Sequence, residues 1–226
     1  MARAPRTARR GSGRPATPVD RRREVLEAAL ELIAERGYAG ASLRVLAQRV
    51  GMQQPSLYHY FRTKEELIEQ ILATFSADML AIGGAAPPST LDEVPQWIRD
   101  RVIALYETRT HPLFVRVMFQ VSRLHPRYGR LMREFFVDRV DEAMRAFAMP
   151  FVERGEIDAD SVVFAGRLAV NALGLRLMEE RVLFDDRPLS PSVYAYADFV
   201  VEAMRALLRQ YARPPARPRA SRTRRR

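Results

Sequence analysis

Cysteine is absent, so the chain can build neither a disulfide framework nor a thiolate nucleophile or metal ligand. Histidine is scarce: His59, His111 and His125 are the three present, and no two have metal-ligand spacing. No glycine-rich phosphate loop occurs. Catalysis, a metal and a cofactor are therefore not expected. Uninterrupted apolar runs stop well short of the ~18 residues that a membrane span needs. The basic N-terminus is not followed by an apolar segment of the signal-peptide kind. These absences lead to the expectation of a cytoplasmic protein without a membrane partner. Lysine is almost missing too. Of 37 basic residues only Lys64 is a lysine, a bias that a GC-rich genome would produce.

What is present is enough for a real core: 226 residues, 47% of them hydrophobic. The net charge of +10 is unevenly placed. Residues 1–18 hold five Arg and no acid, and residues 213–226 hold seven Arg and no acid. The segment between them is slightly acidic. Both ends are too poor in apolar residues to offset ordering, and read as disordered tails. Attraction of such tails to DNA phosphates would be non-specific and strongly salt-dependent.

No strand pattern of useful length appears, and helical periodicity runs through the rest. Asp20 is a plausible cap for a first helix to about Arg36, stopped by Gly37. Arg21, Arg22 and Arg23 open that helix, either as a solvated basic start or as phosphate contacts. Leu43, Leu46, Ala47 and Val50 mark one face of a short helix capped by Ser42 and ended by Gly51. Pro55 suits the first turn of a second short helix, with Leu57 and Phe61 buried. Gln53 is a poor cap, which leaves that start to Pro55. Thr63-Lys64-Glu65-Glu66 reads as a capping box opening a long helix to about Ile82. Gly83 to Pro88 breaks the pattern. Thr90-Leu91-Asp92-Glu93 opens a helix to about Thr110, interrupted by His111-Pro112. Helices follow over about Leu113–Leu124 and over Arg127 to Ala148 or on past Pro150 to Arg154. Gly155 to Asp158 is a turn, Asp158 or Asp160 caps a helix to about Phe184, and Ser190 or Ser192 caps the last, to about Tyr211.

Two short helices joined by a tight Gly turn make a helix-turn-helix, whose second helix can enter a DNA major groove. The residues are more specific than the geometry. S-L-R-x-L-A-x-x-x-G, Q-P-S-L-Y-x-x-F and T-K-E-E-L stand in unbroken register. With the preceding helix this stretch, about Arg22 to Leu67, resembles the DNA-binding head of TetR-family transcriptional regulators. The resemblance implies an all-α fold of about nine helices, with a three-helix head and a helical body for ligand binding and dimerisation. The expected units are a tail at 1–18, a head at 19–66, a body at 67–212 and a tail at 213–226.

The resemblance also assigns sites. DNA contact falls on Ser42, Arg44, Gln53, Gln54, Pro55, Ser56, Tyr58, His59, Tyr60 and Lys64. Arg44 can fork onto guanine and Gln54 can pair with adenine, whereas hydroxyls and ammonium suit phosphate. A small-molecule effector is implied in the body, where Phe75, Met79, Trp97, Tyr106, Phe114, Met118 and Asn171 are candidates. His111, Arg116 and Arg176 could serve as polar anchors. Plain core is the alternative for the aromatic and Met positions. The segment 162–175 is apolar nearly all round, so it must be covered on several sides. Ala165, Ala169, Ala172 and Leu173 there, with Val200, Met204 and Leu207 in the last helix, are the expected homodimer interface. The function so implied is a regulator of operator DNA, released as a repressor by its ligand. The alternative is a helical small-molecule-binding or interaction protein with a lapsed head.

Overall fold

A computed structural model describes residues 18–81, 88–184 and 188–212. Both Arg-rich ends and the glycine-rich breaker after residue 81 lie wholly or largely outside that range.

Helix α1 (Pro18–Gly40) starts before Asp20, which lies in its first turn rather than at its cap. Gly37 breaks it at φ 70°, ψ 168°, a backbone region essentially confined to glycine. Helix α2 (Leu43–Arg49) begins at Ser42, whose hydroxyl accepts from the Val45 N–H at 3.2 Å. Gly51 follows it at φ 65°. Helix α3 (Gln54–Tyr58) has Gln53 at its cap with no side-chain bond, and Pro55 in its first turn. Leu57 and Phe61 are fully buried beneath it. In α4 (Lys64–Ala81) the capping box closes one residue early. The Thr63 hydroxyl accepts from the Glu66 N–H at 3.1 Å, but the Glu66 carboxylate accepts from the Arg62 N–H at 2.8 Å.

A 3-10 turn (Leu91–Glu93) leads into α5 (Val94–Glu107), where the Glu93 carboxylate accepts from the Ser89 N–H at 2.9 Å. The break expected at His111-Pro112 falls earlier, at Thr108 and Arg109. His111 and Pro112 lie inside the first turn of α6 (Thr110–Val121), where the missing proline N–H costs no helical bond. His125 caps α7 (Pro126–Arg133), its ring nitrogen accepting from the Arg127 N–H at 3.1 Å. A π turn (Glu134–Asp138) carries α7 without a break into α8 (Arg139–Glu153). Asp158 caps α9 (Ala159–Met178), which continues through a second π turn (Glu179–Leu183). The last helix is α10 (Pro191–Tyr211). With α7 and α8 taken as one rod, the described residues form nine helices and no strand.

Side chains of α1 to α4 share a single core with Phe114, Val117, Met118 and Val121 of α6 and Tyr128 of α7. A second core joins α5, α8, α9 and α10. The 25-residue stretch Ala159–Leu183 is long and apolar enough to cross a membrane by length and composition alone. Here it packs against α5, α8 and α10, as a central core helix does.

Candidate nucleic-acid interface and ligand cavity

The turn at Gly51 sets α3 on the outside of the head. Arg44, Gln53, Gln54, Pro55, Ser56, Tyr58 and His59 are all exposed around it. Gln54 Nε2 lies 3.5 Å from the Tyr58 hydroxyl, so the two form one polar edge. Ser42 is exposed as well, though its hydroxyl is engaged in capping α2. Tyr60 differs: it is half-buried and packs on the head core. Lys64 is also half-buried. Its ammonium lies 3.9 Å from the centroid of the Tyr38 ring and donates to the Tyr38 carbonyl. Desolvation pulls that ammonium below the usual lysine range.

The first-turn arginines of α1 keep partial exposure but already have partners within the chain. Arg21 donates to the Val50 carbonyl at the end of α2 at 2.7 Å. The Arg22 guanidinium stands 5.4 Å from the Phe61 ring. Arg23 pairs with Asp78 of α4 at 2.6 Å. Sequence position allowed a solvated basic start or phosphate contact; folding adds partners on α2, below α3 and on α4.

Head and body meet through Tyr38 and Tyr128. The Tyr38 hydroxyl donates to Glu65 at 3.2 Å. Burial, together with neighbouring Tyr128 and Glu65, pushes the Tyr38 phenol well above its usual range. Arg127 pairs with Glu69 at 2.9 Å, and Arg109 pairs with Glu31 at 2.6 Å.

A cavity of about 550 Å³ lies in the body between α5, α6, α9 and the α7–α8 rod. Of the residues expected to hold a ligand, Tyr106, Met118 and Asn171 line it. Phe75 and Phe114 do not. They pack on each other at 6.0 Å in the core shared with the head. Trp97 faces a separate polar groove, stacked on Phe147 at 4.7 Å with Arg101 over its ring. The Met79 side chain lies outside the described residues. His111 also lines the cavity, but Arg116 and Arg176 do not. Arg116 donates to the Val182 carbonyl at 2.9 Å, and Arg176 pairs with Glu180 at 2.8 Å.

Met132, Phe136, Val140, Arg167, Gly174 and Met178 complete much of the wall and were not anticipated. The π turn explains part of this, because it shifts the face that the rod presents. Burial holds the His111 imidazole down at about 4, and pushes the Tyr106 phenol up to about 12.

The expected dimer residues mostly face inward. Ala165, Ala169, Leu173, Val200 and Met204 are buried within their own chain, in the core of α5, α8, α9 and α10. Ala172 and Leu207 are half-buried. Small residues there serve close packing inside one chain. The outward apolar face of the same two helices is formed by Phe164 (69% exposed), Leu168 (57%) and Leu175 (57%) on α9, and by Phe199 (69%) on α10.

Residues 25–71 match the family model of bacterial regulatory proteins, tetR family. Over 61 residues the chain is 38% identical to the HTH-type transcriptional repressor KstR2 of Mycolicibacterium smegmatis, a match covering 27% of this chain. The matched stretch spans only 30% of that repressor's length. A longer match, 26% identical over 156 residues, covers 63% of this chain and 72% of the HTH-type transcriptional repressor AcnR of Corynebacterium glutamicum. In fold, the chain is similar to a TetR family transcriptional regulator from Pseudomonas syringae pv. tomato, with a TM-score of 0.65. That likeness covers 85% of this chain and 97% of the other at 19% identity. The helix-turn-helix head thus matches the tetR family by sequence over residues 25–71, and the chain as a whole shares the fold of a TetR family regulator.

Proposed function

We propose that this protein is a sequence-specific DNA-binding transcriptional regulator, a repressor that leaves its operator when a small molecule enters the body cavity. The observation that carries the DNA reading is the exposed polar edge of α3, with Gln54 and Tyr58 side by side, and Arg44 exposed on α2. These groups have no packing duty in the head and suit base edges and phosphates. The units proposed are a head at 19–66 and a body at 67–212, working in the cytoplasm without catalysis.

A homodimer fits this reading, because two-fold proteins address half-sites on successive turns of DNA. The outward apolar residues of α9 and α10 supply the surface for it. Ligand and operator would then weaken each other by the same factor. A physical route is at hand: Phe136 in the cavity wall stacks on Phe114 at 6.2 Å, and Phe114 packs on Phe75 of α4.

The deciding experiment is selection of genomic fragments by the purified protein at about 0.15 M salt, where exposed charges are partly screened. Enrichment of one palindromic site is the expected result. Sequence-blind binding would sink the regulator reading and favour a small-molecule-binding protein with a lapsed head.

A further inference from the structure

The cavity in the body has a composition that narrows its occupant. Tyr106, His111 and Asn171 are the neutral polar side chains in its wall, and most of the remainder is aliphatic, aromatic or methionine. None of these three side chains has a hydrogen-bond partner among the described residues. Each can donate, and each can also accept.

Among the described residues the one cation in the wall is Arg167, and its guanidinium is already paired with Asp141 and uses four of its five N–H donors. Its Nε donates to Asp141 at 3.0 Å, and its two terminal nitrogens donate to the Phe136 and Val137 carbonyls at 2.9 and 2.8 Å. A second bond to Asp141 is the fourth. Among the described residues no carboxylate lines the cavity. A carboxylate ligand would thus lose its water and meet only a cation whose charge Asp141 already balances, and an ammonium would find no anion.

We infer that the cavity takes an uncharged, largely apolar molecule bearing a hydroxyl or carbonyl oxygen, which Tyr106, His111 and Asn171 would hydrogen-bond. A volume of about 550 Å³ lies within the ordinary range of small-molecule sites. The inference deepens the regulator reading, and rests on it only for the cavity's use as an effector site.

The test uses the full-length protein with Nile red as a neutral reporter. Four ten-carbon compounds compete for it: decan-2-one, decan-1-ol, decanoate and decylammonium. The ketone and alcohol should displace the dye at concentrations roughly ten-fold or more below those of the two ions. Two variants locate the event. Gly174→Leu should weaken displacement roughly ten-fold, since a Cβ there meets open space on the cavity wall and leucine also favours the helix. Tyr106→Phe with Asn171→Leu should raise the dissociation constant of the ketone a few-fold, calculated with the dye affinity measured for that variant.

Decanoate or decylammonium competing as well as the ketone would overturn the inference. So would an unaltered response in Gly174→Leu, or no binding of any compound. Release of operator DNA is read separately. If the ketone binds with the stated preference and DNA stays bound, the effector reading fails and the ligand class stands.

Discussion

Lys64 is held by Tyr38, through both the ring face and the carbonyl. If it turns to a phosphate on the operator, Lys64→Ala should weaken binding roughly ten-fold and reduce the salt slope by about one. Titrations at several salt concentrations would check this. An unchanged slope would mean that the ammonium stays on Tyr38. Tyr58→Ala should weaken operator binding with the fold intact, because its side chain packs on no core residue.

His111 gives a different kind of single-residue test. Its folded value of about 4 lies below the ordinary 6.5, so the unfolded chain takes up the proton first as pH falls. The neutral, buried imidazole is therefore fully tolerated above about pH 6.5. Stability should be lost between 6.5 and 4, at up to about 1.4 kcal/mol per unit of the difference. Urea unfolding of the native chain and His111→Leu at pH 7 and pH 5 would show this, the variant losing less between the two. Local chemistry made much of the head legible at this scale. Ser42, Gly51, Pro55, Leu57 and Phe61 each act through neighbours a few residues away. The destinations of Arg21, Arg22 and Arg23 were not legible, because Val50, Phe61 and Asp78 reach them only after folding.

Among the elements, Gly37 and the first π turn carry separable duties. An added Cβ at Gly37 would touch nothing within 4 Å, so Gly37→Ala should cost only backbone strain, about 1–3 kcal/mol. Chemical denaturation would measure it, and a neutral result would mean that the backbone relaxes there. Arg167 ties α9 to the π turn through the Phe136 and Val137 carbonyls. Arg167→Met keeps the apolar stem and removes the donors, and should destabilise by about 1–3 kcal/mol. Helix limits in the body followed from caps such as Asp158 and breakers such as Gly155. The cavity wall did not, since Phe136 and Val140 reach it past a π turn that periodicity cannot register. The residues expected at a dimer face turn out to be packed within the chain for a related reason. Ala165 and Ala169 invite close approach, and nothing in the sequence says whether the approaching helix belongs to the same chain.

At the level of the whole molecule, the proposed homodimer would rest on the outward side of α9 and α10, and folding on the inward side. Phe164→Glu or Phe199→Glu should leave a folded monomer, as the added charge meets solvent. Ala169→Glu should instead collapse the fold, by placing an unpaired carboxylate in the core of α5, α8, α9 and α10. Sedimentation and circular dichroism together distinguish the two outcomes. A further constraint follows from the core that α1 to α4 share with α6 and α7. The head is not a cartridge. A recognition unit transplanted from a relative at the 66/67 junction would bring its own underside but not its own floor. Side chains shaped for another Phe114, Val117, Val121 and Tyr128 would meet these ones. A working chimera would have to carry that floor with it, which moves the natural seam for exchanging DNA specificity from one point on α4 to a surface running through three segments of the chain.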